Sequence, residues 1–565
     1  MEPVIVVGAG PVGLVLSLAL AAQGVPSVLL DEGPDRDETR PARTVVLRED
    51  TADLVERLGC EALRRDGLRW SGWRSMRRKQ LVRELSLGKG GGEDAHDGDP
   101  LPPSPVHLPQ HALTRGLRQA VAAHELVRVA PHSRIDTLEQ DRTGVTVRTR
   151  GPNSTWWRGS YLVGCDGARS TVRKLLDIRF PGRTAVERHA VAALRTELPW
   201  PGQAVLHRLP PWRTGGTEVT ARPLPDGLWR LDWLLPARGE LVTPDALITR
   251  IRDTLDGWCG ETPSYELLDT GVYTLHHRLA LRWRADRSFL AGDAAHLLGA
   301  LGTQGLDEGV RDAENLAWKL ALAWHHGASE ALLDSYQAER RAAVAARLRA
   351  ADQSLPILRG GGGLRALVPG SARGHDSMLM DGHLGRGPLG APPSYSHSPL
   401  APSYAEAHAS VGAPPGAPVT DVRVTAPDGT TVRLRERLGL GNLLVVLVAP
   451  GTGVWDRRHW KTAGVMPRLA AAVEALPAPS ELLVTESYPG ASAHTVLLIR
   501  PDGHLVAAFG GVRPRELLAA ADTVCGGAAR PGVHSGTGPD QAADIGTADV
   551  TADVRAADVD RADID

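Results

Sequence analysis

Residues 3–32, PVIVVGAGPVGLVLSLALAAQGVPSVLLDE, decide the fold. Pro3 to Val7 is a short run of β-branched apolar residues without polar alternation, which predicts a strand buried on both faces. Gly8-Ala9-Gly10-Pro11-Val12-Gly13 interrupts it. Pro11 to Gln23 is then apolar almost all round, as a helix sunk in a core is, and Ser27 to Leu30 is a second buried strand. Strand, glycine turn, helix and strand in that order make a βαβ opening, so a parallel sheet is expected.

Placed between strand and helix, the GxGxxG turn carries chemistry. Gly8 permits the tight turn, Gly10 lets backbone N–H groups approach a pyrophosphate at the helix N-terminus, and Gly13 allows close helix–strand packing. Pro11 and Val12 lie inside the same turn. Asp31, eighteen residues beyond Gly13, ends the second strand, with Glu32 beside it. A carboxylate there accepts hydrogen bonds from an adenosine ribose and repels a 2′-phosphate.

Two further strands end in the same way. Tyr161-Leu162-Val163-Gly164-Cys165-Asp166-Gly167 and Phe289-Leu290-Ala291-Gly292-Asp293-Ala294-Ala295-His296 each run from an apolar strand into a carboxylate and glycine. In the second, Asp293 stands where it can bind the ribityl hydroxyls of a flavin, and a helix is expected to follow through Gly302, Gly305 and Gly309. The pair distinguishes FAD from NAD, which GxGxxG alone does not.

The bulk properties narrow the function. At 565 residues the chain exceeds one core, and two or three domains are expected. With 64 Lys+Arg against 66 Asp+Glu there is no positive field to draw nucleic acid or anionic lipid. Cys60, Cys165, Cys259 and Cys525 are too dispersed for a zinc site and fit a reducing cytoplasm. The apolar run Val12 to Ala22 is too short to span a membrane and follows an acid rather than a basic leader, which argues against export.

Between these motifs, GKGGGEDAHDGDPLPPSP (88–105) is expected to be a mobile surface insertion without core contacts. WRLDWLL (229–235) follows a Pro-Asp-Gly turn and predicts antiparallel strands of a second layer, with Trp229 and Trp233 best placed to line a substrate pocket. Gly- and Pro-rich residues around 360–403 read as a linker. Beyond it, strands at Leu443 to Val448, Leu482 to Thr485 and Thr495 to Ile499 and a helix at Val465 to Ala475 predict a small α/β unit. The Ala-Asp repeats after 526 lack the apolar content to fold.

GxGxxG, DG and GD in this order, together with VYTLHHRLALRWR, LAGDAAH, RDAENLAWKLA and SYQAERR over residues 272–341, resemble the single-component FAD-dependent aromatic hydroxylases. That group includes the para-hydroxybenzoate, 3-(3-hydroxyphenyl)propionate and aromatic polyketide hydroxylases, and the match covers roughly residues 3–350. The resemblance implies an α/β chain with a discontinuous, glutathione-reductase-type FAD domain (1–175 and 270–355). It further implies an inserted antiparallel-sheet substrate domain (176–269), a linker (356–411), a thioredoxin-like domain (412–525) and a disordered tail (526–565). The implied cofactor is FAD, with NAD(P)H and O2 as co-substrates and a small aromatic molecule hydroxylated through a flavin hydroperoxide. Nucleic acid and membrane are not expected partners; a homodimer is compatible with it.

By the same resemblance Gly8, Gly10, Gly13 and Asp31 match the adenosine-diphosphate fingerprint, and Arg43 and Gln110 match residues contacting the phosphate and ribityl region. An exposed Arg and a Gln capping the helix that begins near Ala112 are the plain alternatives for Arg43 and Gln110. Asp166 and Gly167 match a motif for FAD and nicotinamide nucleotide, Gly292 and Asp293 the ribityl motif, and Ala300 to Gly309, with Gly305 and Leu306, the loop facing the isoalloxazine. No catalytic residue and no metal ligand can be named; His296 is expected to anchor its turn. The loop departs from the family's proline-rich pattern at Gly299, Ala300, Gly302, Thr303 and Asp307, and a carboxylate at Asp307 would oppose an anionic flavin unless distant, protonated or paired. A dehydrogenase or oxidase of the same fold, or a non-catalytic flavin-bearing protein, are the rival functions. The C-terminal unit lacks redox cysteines, which leaves it a structural or oligomerising role.

Overall fold

The structure, a computed structural model, describes residues 1–34, 38–88, 95–96, 99–150, 154–212, 217–235, 242–299, 304–327, 329–358, 371–402, 409–451 and 464–527. β1 (Val4–Val7), α1 (Pro11–Ala21) and β2 (Ser27–Leu30) form the expected opening, both strands buried throughout. β1 pairs in parallel with β2 on one side and with Tyr161–Gly164 on the other. Val127–Ala130 and Ser288–Leu290 extend the parallel sheet outward, and Arg284–Ala285 closes one edge antiparallel.

α1 packs on the long helix Gly305–His326. Glycine makes the approach feasible: a Cβ on Gly309 would stand 2.6 Å from Val12 Cγ2, and one on Gly292 3.0 Å from it. The chain enters that helix less directly than the sequence suggests. After Ser288–Leu290 comes a single 3-10 turn at Gly292–Ala294 and then a strand, His296–Leu298, before the helix starts at Gly305.

That extra strand is the edge of an eight-stranded sheet, ordered His296–Leu298, Tyr265–Leu279, Gly182–Thr196, Leu228–Leu235, Glu218–Pro223, Gln203–Arg208, Gly72–Arg77, Gln80–Ser86. Only Gln203–Arg208 and Gly72–Arg77 pair in parallel. The sheet therefore draws strands from before and after 176–269, and Tyr265–Leu279 crosses the expected boundary. The hairpin Gly72–Ser86 escaped notice because its outer strand is polar and largely exposed.

Two other expectations change. Ser104, at the end of the presumed insertion, is buried and donates to the Trp70 carbonyl at 2.7 Å, so this part carries a core contact; residues 89–94 and 97–98 lie outside the described residues. The presumed linker contains a helix, Ser371–His383, whose Leu379 and Met380 pack with Trp70, Trp73 and Leu206. The C-terminal sheet has six strands, with a parallel pair at its centre, Leu443–Val448 beside Ser480–Thr485. Met466–Glu474 and Pro514–Val524 pack on one of its faces together with Trp318 and Leu322 of the long helix. The expected disordered tail falls outside the described residues from 528 on.

Candidate active site

The parallel strands β1, β2, Tyr161–Gly164 and Ser288–Leu290 deliver Gly8, Asp31, Cys165 and Gly292-Asp293 to one edge, the carboxyl end at which such sheets bind ligands. A groove of two connected chambers lies there. The larger, about 870 Å³, is walled by the Gly8–Pro11 turn, Asp31, Glu32, Arg134, Asp166 and Gly167. The smaller, about 400 Å³, is walled by Val12, Thr44–Val46, Thr274–His276, Asp293, Leu297–Gly299, Gly305 and Leu306. Gly10, Pro11, Arg43, Gln110, Cys165 and Gly167 line both. Two chambers that share a wall at Gly10, Pro11, Arg43, Gln110, Cys165 and Gly167 suit the two halves of a dinucleotide.

The three glycines of the turn divide their work. At Gly8, with φ +106°, a Cβ would stand 2.5 Å from the Cys165 carbonyl oxygen, and at Gly13 one would stand 2.0 Å from the Gly8 carbonyl oxygen. Both serve packing. At Gly10 no atom lies within 4 Å of a Cβ, so a side chain would fill only the groove. The N-terminus of α1, with its unsatisfied N–H groups, faces that space, which fits the pyrophosphate of a dinucleotide.

Asp31 Oδ2 accepts from the Ala9 N–H at 2.5 Å and Oδ1 from the Gly33 N–H at 2.8 Å. It thus holds the glycine turn as well as lining the larger chamber. Glu32 is at the rim, exposed and 3.6 Å from Arg134. Asp166 lines the larger chamber, and its carboxylate also accepts from Ser170 Oγ at 2.6 Å and from the N–H groups of Thr171 at 2.6 Å and Val172 at 3.0 Å. It caps the helix Thr171–Leu175, satisfying donors the helix leaves open. Gly167, with φ +75° and nothing within 4 Å of a Cβ, is the member of the pair that opens to both chambers.

Arg43 and Gln110, 67 positions apart, meet here: Arg43 Nε donates to Gln110 Oε1 at 3.0 Å, and the Gln110 N–H to the Arg43 carbonyl at 2.9 Å. Gln110 starts its helix without capping it, so the plain alternative falls away for Gln110, while Arg43 is exposed. Asp293 projects into the small chamber with no hydrogen-bond partner among the described residues. The protein packed around it raises its carboxyl above the usual range, against the pull of His296 and Arg43. Gly305 and Leu306 put the N-terminus of the long helix at the same chamber. Ala300, Gly302 and Thr303 lie outside the described residues.

His296 is buried, stacked on Trp283 at 5.2 Å, and bonded through Nε2 to Asp312 Oδ2 at 2.8 Å. The same oxygen of Asp312 accepts the Gly292 N–H at 2.9 Å, so His296 does anchor the Gly-Asp turn. Asp307 is neither free nor facing the groove. It accepts from the backbone N–H of Arg48 at 3.1 Å, and is also bonded to the Arg48 guanidinium and the Thr51 hydroxyl. The paired state removes its conflict with an anionic flavin.

The sequence reading misassigned the sheet wall. Trp229 and Trp233 point away from the groove and pack under the helix Pro244–Cys259, with Trp233 Nε1 donating to Thr254 Oγ1 at 3.0 Å. The intervening Arg230 and Asp232 occupy the other face, toward strand Thr44–Leu47. The alternation in WRLDWLL separates these two sets, but it does not tell which face meets the groove.

Among proteins of known activity, the chain is 31% identical over 369 residues to 3-(3-hydroxy-phenyl)propionate/3-hydroxycinnamic acid hydroxylase of Paraburkholderia xenovorans, covering 60% of this chain and 53% of that one. It is 32% identical over 358 residues to rifampicin monooxygenase of Streptomyces venezuelae, covering 60% and 68%. The chain spans about half the length of the first of these relatives. Among solved structures, aklavinone-11 hydroxylase with FAD and aklavinone shares the fold at TM-score 0.70 and 22% identity, covering 93% of this chain and 99% of that one. The flavin-dependent monooxygenase PieE, with FAD and substrate, does so at TM-score 0.70 and 21% identity, covering 93% and 98%. Residues 1–351 match the family described as FAD binding domain, and the chain belongs to that family.

Proposed function

We propose that the chain is an FAD- and NAD(P)H-dependent monooxygenase that hydroxylates a small phenolic or polyketide aromatic. The observation that carries it is the two-chamber groove, whose open glycine faces a helix N-terminus at one point and whose far end is walled by apolar side chains. Relatives named as hydroxylases and monooxygenases support the reading. When bound, FAD would take a hydride from NAD(P)H and activate O2 for transfer to an electron-rich carbon. The chain's part is to bind, orient and dry. Gly10 and the start of α1 would hold the pyrophosphate, Asp31 the ribose, and Asp293 the ribityl hydroxyls, with the Arg43–Gln110 pair beside them. The N-H groups at Gly305 and Leu306 would meet developing negative charge on the ring system, and the proposal extends the same role to Ala300. Val46, Leu275, Leu297 and Leu298 would keep water from the reacting carbon.

The C-terminal unit, about 412–525, is proposed to be thioredoxin-like in architecture and structural in role. Its Cys525 is buried, and burial pushes the thiol up to about 12, which suits neither thiol exchange nor metal binding. A cytoplasmic location and a homodimer belong to the same proposal.

The test is oxygen incorporation. Purified protein supplied with NADPH, isotopically heavy O2 and a panel of phenols is expected to release a product carrying the heavy atom. Oxidised product without that atom would assign a dehydrogenase or oxidase instead.

A further inference from the structure

Away from the flavin groove, a cavity of about 260 Å³ lies where helix Glu49–Arg57, the long helix Gly305–His326 and the C-terminal unit meet. It shares no lining residue with either chamber. One wall is largely apolar, made by Pro392, Pro393 and Tyr395 together with Pro418, Val419 and Leu438 of the C-terminal unit. Tyr395 is fixed in place: its hydroxyl accepts from Arg340 Nη1 at 3.1 Å and its ring packs on that of His504 at 4.3 Å.

The remaining wall is charged, and most of its charges are matched within the protein. Arg435 gathers Glu49 at 2.8 Å, Asp53 at 3.0 Å and Asp421 at 3.3 Å. Arg311 pairs with Asp50 at 2.8 Å and with Glu308 at 2.7 Å. Asp502 pairs with Arg500 at 2.6 Å and accepts from Asn315 Nδ2 at 3.0 Å.

Two groups are left over. Glu314 of the long helix and Arg57, the last residue of helix Glu49–Arg57, line this same cavity, yet neither has a hydrogen bond or ion pair among the described residues. Arg57 Nε is buried without a partner. Burial pushes the Glu314 carboxyl up to about 8 and the Arg57 guanidinium down, and in each case the other residue is the leading opposing charge. Each feels the other across the cavity but does not reach it, so the cost of taking both out of water is only partly repaid.

The sign of the two charges selects what can complete them. A simple cation would satisfy Glu314 and be repelled by Arg57, and a simple anion would do the reverse. A molecule carrying both charges satisfies both residues and adds no net charge. A bare metal ion is disfavoured for a separate reason: no group of His, Cys, Asp and Glu side chains among the described residues converges as metal ligands do. The volume is slightly below the ~300 Å³ at which sites for drug-sized ligands begin, so the occupant is small, and the apolar wall asks for an apolar body.

We infer that this cavity binds a free α-amino acid with an apolar side chain, its ammonium on Glu314, its carboxylate on Arg57 and its side chain against the Pro392–Leu438 wall. Residues at either end of a peptide carry only one of the two charges and do not fit. Because the ligand would touch the long helix, helix Glu49–Arg57 and the C-terminal unit together, it braces that unit against the FAD-binding part, as an effector does. The inference does not depend on which reaction the flavin groove supports.

The test is calorimetric titration of the FAD-loaded protein with L-leucine and L-phenylalanine. Leucine lacking its carboxylate, 3-methylbutylamine, and leucine lacking its ammonium, 4-methylpentanoate, are the controls. At least one amino acid is expected to bind with a dissociation constant below about 1 mM, and each control to bind at least about tenfold more weakly than leucine or not at all. The bound amino acid should raise the melting temperature in a concentration-dependent way. Glu314→Gln and Arg57→Met have no partner to lose, so both should fold and retain FAD while weakening amino-acid binding about tenfold to a hundredfold. Arg57→Lys should keep part of the affinity. No binding of either amino acid to the unaltered protein up to about 10 mM would leave the cavity to bridging water and overturn the inference, whether or not the variants fold. So would an amine or a carboxylate that binds as tightly as leucine, or an affinity unchanged in both folded variants.

Discussion

Gly10 and Asp293 stand at two points of one groove and make separable predictions. Gly10 has an ordinary φ of −74° and open space before it, so Gly10→Val should fold with an unchanged melting temperature and fail to retain FAD. Gly8→Val should instead lose the fold, because its Cβ meets the Cys165 carbonyl in a left-handed backbone. Melting temperature and flavin absorbance measured on both variants separate the two roles. Asp293 has no partner to lose among the described residues, so Asp293→Ala should leave stability intact. It should weaken FAD binding by about 1.5–3 kcal/mol, roughly tenfold to a hundredfold. An unchanged dissociation constant on titration of the apoprotein would remove Asp293 from the cofactor site.

The helix Gly305–His326 is the element on which most of these constraints meet. Its first turn carries Asp307, locked to Arg48 and Thr51; Asp307→Ala would strand the Arg48 charge in the core and should cost about 3–5 kcal/mol, read by chemical denaturation. Two turns on, Glu314 faces Arg57 across a cavity of about 260 Å³ without bonding to it. Burial pushes its carboxyl up to about 8, with Arg57 opposing and Asp502 and Asp50 adding to the rise. The folded chain therefore holds a proton that the unfolded chain releases near pH 4.5. Stability from this group is complete below that value and is lost as pH rises toward 8. Glu314→Gln should be neutral near pH 5 and stabilising above pH 8 by on the order of 1–3 kcal/mol, a melting shift of a few degrees. A shift that is the same at both pH values would contradict the assignment.

Across the whole molecule, the C-terminal unit is joined to the FAD-binding part through charge rather than by contact of apolar faces alone. Arg500, at the turn after strand Thr495–Ile499, donates to Glu339 Oε1 at 2.7 Å and Oε2 at 2.8 Å, and to Asp502 at 2.6 Å. Lys319 Nζ reaches Glu339 at 2.7 Å, and Asn315 Nδ2 reaches Asp502 at 3.0 Å. The turn of one sheet is thus plugged into helices that support the flavin groove. Arg500→Met should leave Glu339 and Asp502 undercompensated and cost about 3–5 kcal/mol. Calorimetry should show FAD release and C-terminal unfolding in one transition in the unaltered chain; two independent transitions would mean that the units are not coupled.

What the sequence by itself determined is local. A β-branched run, a glycine turn, an apolar helix and a second run settle β1, α1 and β2, because each pattern is satisfied by neighbours within a few residues. For the same reason Leu443–Val448 and Thr495–Ile499 were legible to the residue. The tertiary structure decided what depends on partners distant in the chain. Asp166 and Asp293 follow similar strand-to-glycine patterns, and both line the groove, yet one meets a helix start whose N–H groups its carboxylate accepts while the other has no hydrogen-bond partner among the described residues. Asp307 reads as a stray charge until Arg48, 259 positions away, arrives beside it. Trp229 and Arg230 are neighbours whose alternation assigns them to opposite faces, but only the packing of helix Pro244–Cys259 on one face and strand Thr44–Leu47 on the other makes the tryptophans core and the arginine wall. Periodicity separates the faces of an element; the neighbours it packs against determine which face becomes the site.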